Sequence, residues 1–262
     1  MDVKKLGPTG AEVCNVDLST ELSDEQSLFI KQAFLEHSVL VFKNQNLEPS
    51  KLLSLSDVWG KAMKHPIFSG IKDHPEIIQI ENLGEQYHTN SHWHSDVTFE
   101  IEPPDATLLY SLEIPDVGGD TLFANQYLAY EALDQELKDQ LSNIGAYHSN
   151  LSILTLVGAD TSLAKKVLHP IFRTHPETNK KALFVTEAFV EGIDGYDQED
   201  SNSLLKELYG LAINKNFIYR HKWSKGDLVV WDNRCVQHFA EHGYGNKTRT
   251  MHRITVEGSK PF

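Results

Sequence analysis

Asp227-Leu228-Val229-Val230-Trp231-Asp232-Asn233-Arg234-Cys235-Val236-Gln237-His238 reads as a strand, a turn and a histidine beyond it. Valine and tryptophan suit a pleated, half-buried surface, and Asp-Asn is turn chemistry. His238 is therefore expected where a strand end meets a loop. Short strand signals recur outward from this point, at 39–42, 77–80, 106–112, 121–124, 182–185, 217–223 and 249–256. Helical signals are fewer. Ser23 and Gln26 form a capping box that opens a helix to about residue 37. Residues 49–59 form a second helix, stopped by Gly60, and Asn125 caps a third to about residue 141. Leu204, Leu205, Leu208 and Leu211 give 201–213 a helical period. The region 145–170 carries no clear period and is expected as a mobile lid or loop. No Pro/Gly/Ser linker divides the chain, so one α+β domain over 1–262, with a β core, is the expectation.

Composition bounds the chemistry. The 262 residues carry 24 Lys+Arg against 37 Asp+Glu, a formal charge of −13. So acidic a chain does not grip phosphate backbones through a general positive field, and no nucleic-acid partner is expected. No apolar run approaches the roughly 18 residues of a membrane span. The N-terminal segment has no long apolar stretch of the secretory type. A cytoplasmic, reducing location is expected. The two cysteines, Cys14 and Cys235, make neither a disulfide scaffold nor a zinc site built from cysteine pairs. The 13 histidines are the unusual feature, because histidine is the commonest metal ligand.

The stretch Asn90-Ser91-His92-Trp93-His94-Ser95-Asp96-Val97-Thr98-Phe99 holds a histidine and a carboxylate two residues apart. On a strand, such residues point to one face. With His238 as a distant third donor, His94 and Asp96 would make a 2-His-1-carboxylate face with three open positions, the pattern of non-heme Fe(II) oxygenases. Arg249 and Arg253, four apart on a strand signal, share a face and suit an anionic co-substrate, since a guanidinium fork matches a carboxylate.

Together with these residues, the blocks at 90–100 (NSHWHSDVTFE), 118–125 (GGDTLFAN), 169–185, 223–240 and 249–262 resemble, in order and spacing, the taurine/aryloxyalkanoate family of Fe(II)/2-oxoglutarate-dependent dioxygenases. The resemblance covers nearly the whole chain. It implies a double-stranded β-helix, or jelly-roll, core with helices packed outside. It implies iron held by His94, Asp96 and His238, and 2-oxoglutarate held through its distal carboxylate by Thr121 and Arg249, with O₂ as second co-substrate. Trp231 is placed beside the site or simply in the core. Relatives are often homodimers or homotetramers.

The resemblance also implies a small anionic organic substrate. His65 and Arg253 match the residues that hold a sulfonate, Val97 offers a backbone contact, and Asn90 matches an asparagine near a substrate amine. Taurine is the leading expectation, giving sulfite and an aldehyde. Phe68 stands where taurine enzymes commonly carry tyrosine, and 148–152 departs from their pattern. The alternatives are the same chemistry on an alkyl sulfate ester, an aryloxyalkanoate or another carboxylate. A non-oxidative cupin-like metal protein is the reading from another class.

Overall fold

A computed structural model describes residues 1–82 and 92–262. Its largest sheet has eight strands. In spatial order these are Asp2–Lys5, Ala11–Cys14, Val39–Phe42, Leu228–Asp232, Ala106–Glu113, Thr250–Val256 and Ala62–Met63, with Ile78–Glu81 also paired to Thr250–Val256. Pairing is antiparallel except between Ala11–Cys14 and Val39–Phe42. A smaller antiparallel sheet places Thr121–Asn125 between Ile218–His221 and Val236–Ala240.

Side-chain alternation explains how the two sheets meet. In Leu228–Asp232, Leu228 and Val230 join an outer cluster, whereas Val229 and Trp231 face inward. In Val39–Phe42, Leu40 and Phe42 go out, and Val39 and Val41 go in. The inward set meets Phe123 and Val236 of the smaller sheet. The outer set is covered by Ile30, Ala33 and Phe34 of the helix Asp24–His37 and by Leu52 and Leu55 of Pro49–Leu55. Strands covered on both faces read as continuous apolar runs, which is why 39–42 is so legible. Each large side chain buried this way contributes roughly 1.5–3 kcal/mol. Two sheets face to face, with helices outside, make the expected α+β jelly-roll.

The first helix starts as read: Ser23 accepts from the Gln26 N–H, and the Gln26 side chain accepts from the Ser23 N–H. Two expectations are corrected. The helix to residue 141 is two helices, Gln126–Ala132 and Gln135–Leu141. Leu133 turns to extended geometry, and Asp134 caps the second by accepting from the Leu137 N–H at 2.7 Å. The region 145–170 is not a loop. Gly145–Ser149 is the middle strand of a sheet with Val190–Ile193 and Lys166–Pro170, and a short helix, Leu151–Leu156, follows it. Long-range pairing, invisible in local periodicity, makes these strands. Among the described residues no helix is long and apolar enough to cross a membrane.

Candidate metal centre and its pockets

His94 and His238 meet through their backbones. The His94 N–H donates to the His238 carbonyl at 3.1 Å, and the His238 N–H returns a bond of 2.7 Å. Their rings lie 4.1 Å apart. Asp96 does not reach them along a strand, as the two-residue spacing suggested. His94 makes only an isolated bridge, and residues 96–99 form a turn in which Val97 has φ of 52°. A β-branched residue at positive φ is strained, and such strain clusters at functional sites. The turn brings Asp96 Oδ1 to 3.8 Å from His94 Nε2 and 3.7 Å from His238 Nε2. Donor atoms of the three residues all lie within 4.8 Å of one another, and all three residues are buried.

The protonation logic fits a cation. His94 Nδ1 lies 2.8 Å from the His92 carbonyl, which can only accept, so the proton sits on Nδ1 and the Nε2 lone pair is free. Burial keeps His94 and His238 neutral by lowering their pKa values. Burial alone would raise the Asp96 carboxyl. The Arg253 guanidinium, at 2.7 Å from Oδ1, and the two imidazoles instead hold it well below the usual range. Trp231 lies with its ring 4.6 Å from that of His238.

A cavity of about 160 Å³ opens beside this centre. His65, Val97 and Arg253, the expected substrate residues, line it together with His94 and Asp96. His65 Nδ1 accepts from the N–H groups of Ile67 and Phe68 at 3.1 and 3.2 Å, so its proton is on Nε2. Burial, then the charge of Arg253, push this imidazole down to about 3. His65 is thus a neutral donor. The remaining walls are largely apolar: Phe68, Phe99, Ile153, Leu156, Ala188 and Phe189. Asn90 lies outside the described residues.

Thr121 and Arg249 do not line this cavity. Thr121 sits buried in the central strand of the smaller sheet, its hydroxyl accepting from the Trp223 indole at 2.9 Å, which leaves the hydroxyl proton to donate elsewhere. Arg249 is buried, and burial pushes its pKa down. Its Nη2 donates to the Gly119 carbonyl at 3.4 Å, and its Nε has no partner among the described residues. A buried guanidinium without a carboxylate is costly. It fits a site for an external carboxylate.

The family model described as "Taurine catabolism dioxygenase TauD, TfdA family" matches residues 2–255. The chain belongs to the TauD/TfdA family. Among its curated relatives, an alkylsulfatase of Acinetobacter baylyi is 34% identical, over 98% of this chain and 85% of its own. A Saccharomyces cerevisiae alpha-ketoglutarate-dependent sulfonate dioxygenase is 31% identical, over 100% of this chain and 68% of its own. The crystal structure of a taurine dioxygenase from Burkholderia xenovorans superposes with a TM-score of 0.88 at 31% identity, over 99% of this chain and 90% of the other. A structure of AAD-2 with Mn(II) and N-oxalylglycine gives 0.87 at 26% identity, over 100% of this chain and 99% of the other. N-Oxalylglycine stands in for 2-oxoglutarate, with an N–H in place of a methylene. This TauD/TfdA member is therefore a 2-oxoglutarate-dependent dioxygenase.

Sequence reasoning missed what surrounds Asp96. Thr107 donates to Oδ2 at 2.7 Å, and Asn233 bonds both Thr107 and the Asp96 N–H. The Trp-Asp-Asn run at 231–233 carried the signal, but strand 106–113 gave none that marks Thr107.

Proposed function

We propose that this enzyme hydroxylates a small organic anion with a sulfonate or sulfate-ester head and an apolar body. His94, Asp96 and His238 hold Fe(II). Arg249 and Thr121 hold the distal carboxylate of 2-oxoglutarate, one by charge and one by its free hydroxyl proton. When bound, iron supplies O₂ activation coupled to conversion of 2-oxoglutarate into succinate and CO₂. The chain's own residues position and exclude. Arg253 and the Nε2–H of His65 receive the anionic head, and the strained turn at Val97 sets the floor of the cavity. Phe68, Phe99 and Phe189 keep water away from the C–H bond. Hydroxylation at the carbon bearing the head group gives an adduct that breaks to an aldehyde and sulfite, or sulfate from an ester. A cytoplasmic setting suits the cysteine usage.

The observation that carries the substrate reading is the cavity itself, cationic and hydrogen-bond-donating beside the metal centre and apolar elsewhere. Among the described lining residues, the only carboxylate is Asp96, already engaged by Arg253. Among the described residues an ammonium finds no free counter-charge there. Substrate-dependent succinate formation with taurine, hexanesulfonate, hexyl sulfate and phenoxyacetate tests this. Hexanesulfonate or hexyl sulfate is expected to exceed taurine by roughly tenfold or more in kcat/KM, the scale of a few buried methylenes. Taurine leading the panel would discard the apolar body, and phenoxyacetate leading it would discard the sulfur head. His94→Ala and Asp96→Ala should each abolish coupled turnover while the fold persists by circular dichroism. Retained turnover in either removes that residue from the ligand set.

A further inference from the structure

Three buried groups behind Asp96 form with it a chain whose direction is fixed by chemistry alone. Trp231 Nε1–H can only donate, and it donates to Asn233 Oδ1 at 3.0 Å. The Asp96 backbone N–H, also donor-only, points to the same oxygen at 3.3 Å. Two donors on one atom settle the Asn233 amide: Oδ1 faces them, and Nδ2 faces Thr107. Asn233 Nδ2 then donates to Thr107 Oγ1 at 2.9 Å. With its oxygen occupied as an acceptor, Thr107 sends its proton to Asp96 Oδ2 at 2.7 Å. No member can reverse without leaving a buried donor facing another donor. Trp231, Asn233, Thr107 and Asp96 are each at most 2% exposed, so water does not substitute readily.

The chain spans the fold. Thr107 and Trp231 are direct register partners on adjacent strands of the large sheet, Asn233 opens the turn after the strand that carries Trp231, and Asp96 lies on the separate turn after His94. Its effect is to divide the labour of the carboxylate. Oδ2 is held by Thr107. Oδ1 is left facing both His Nε2 atoms at 3.7 and 3.8 Å. Arg253 also reaches Oδ1, but from a long side chain whose guanidinium is aimed at the substrate cavity.

We propose that Thr107, held by Asn233 and Trp231, is a positioning residue that restricts Asp96 to one-oxygen coordination and so keeps three metal positions open for 2-oxoglutarate and O₂. This rests on the metal-site reading above. Without the Thr107 donor, the carboxylate is free to rotate and offer both oxygens or neither.

The test is Mn(II) binding by calorimetry on the full chain without 2-oxoglutarate, in wild type, Thr107→Val, Thr107→Ser and Asp96→Ala. Thr107→Val keeps the shape and removes the donor. It should change the Mn(II) dissociation constant by roughly 10- to 100-fold, the usual reach of an outer partner on a metal ligand. Thr107→Ser should restore it to within about threefold. If Thr107→Val does not fold, Thr107→Ala is read in its place. A second readout is the visible spectrum of the Co(II)-substituted protein, which reports coordination number. It should change in Thr107→Val and match wild type in Thr107→Ser. Wild-type affinity and an unchanged Co(II) spectrum in Thr107→Val would overturn the relay. If wild type binds no Mn(II), or Asp96→Ala binds it equally well, the metal-site reading itself fails, a result distinct from failure of the relay alone.

Discussion

Arg249 and Arg253 lie four residues apart, one just before the strand Thr250–Val256 and one within it, yet they sit in opposite electrostatic situations. Arg253 Nη2 meets a carboxylate oxygen at 2.7 Å. Arg249 is the more deeply buried of the two, and its Nη2 reaches a carbonyl only at 3.4 Å. Its other near neighbour is the Tyr244 ring, 5.8 Å from its guanidinium carbon. One cation is balanced by a carboxylate of the protein, and the other has none beside it among the described residues. The contrast separates two jobs that share a sequence signature. On the proposed assignment, 2-oxoglutarate would complete a buried ion pair on binding, whereas the substrate head would share an arginine already in use.

Removing each cation in turn is the sharpest way to break that contrast. Arg249→Met should raise the 2-oxoglutarate KM by roughly 100-fold or more, because the distal carboxylate would be left buried and unpaired at a cost of about 3–5 kcal/mol. The same variant should leave the ligand-free protein as stable as wild type or more so, since it removes an unpaired buried charge. Arg253→Met should do the reverse. It strands Asp96, so the midpoint of urea unfolding without ligands should fall, while 2-oxoglutarate retains most of its stabilising effect. Equal loss of ligand-free stability in both variants would erase the distinction.

A second measurement extends the comparison to the histidines behind the site. His148 is fully buried, its Nδ1 is 2.9 Å from Thr98 Oγ1, and burial and then His169 lower its pKa far below the usual 6.5. His169 Nε2 lies 2.9 Å from the Glu100 carbonyl, and its pKa is also lowered by burial. Both hold the turn that carries Asp96. In the unfolded chain these groups take up protons below about 6.5, which the folded state refuses. The unfolded state therefore binds more protons, and stability falls as pH drops below 6.5. Above it, both states are neutral and these groups add no slope. Urea unfolding of the ligand-free protein between pH 7.5 and 5 should show this loss, and His148→Phe should flatten it. An unchanged slope in His148→Phe would assign the pH dependence to other groups.

How much of this was legible depends on which interactions are local. The capping box at Ser23 and the double-faced apolar run at 39–42 are written in neighbouring residues, and each stands where the sequence placed it; the turn falls at 233–235, and His238, expected where a strand end meets a loop, lies within the strand Val236–Ala240 instead. The strands of 145–170 are not written locally, because Gly145–Ser149 and Lys166–Pro170 exist only through pairing with each other across the intervening segment and, for the former, with Val190–Ile193. His94, Asp96 and His238 were readable as residue types but not as geometry. Convergence comes from a turn with Val97 at positive φ, where alternation along a strand was expected. Thr107 was unreadable for another reason. A threonine in a strand looks like any other, and only the donor-only indole at Trp231 and the amide between them give it a direction.

The smallest effect expected probes how closely the unpaired arginine is held. Gly119 has φ of 77°, and a Cβ built there would lie 3.2 Å from Arg249 Nε and 3.2 Å from the Tyr244 ring. Gly119→Ala therefore carries two separate penalties. The left-handed backbone costs about 1 kcal/mol for a non-glycine residue, which lowers stability whether or not 2-oxoglutarate is present. The crowding falls on the Arg249 side chain and the Tyr244 ring, which must give by a few tenths of an ångström. A bidentate pair is sensitive to that displacement, so 2-oxoglutarate affinity should fall by roughly three- to tenfold, about 1 kcal/mol. Direct titration with 2-oxoglutarate and Mn(II), compared with the ligand-free unfolding midpoint, separates the two. Loss of stability with unchanged affinity would mean that Arg249 accommodates the methyl freely, and that its position is set by the incoming carboxylate rather than by the walls around it.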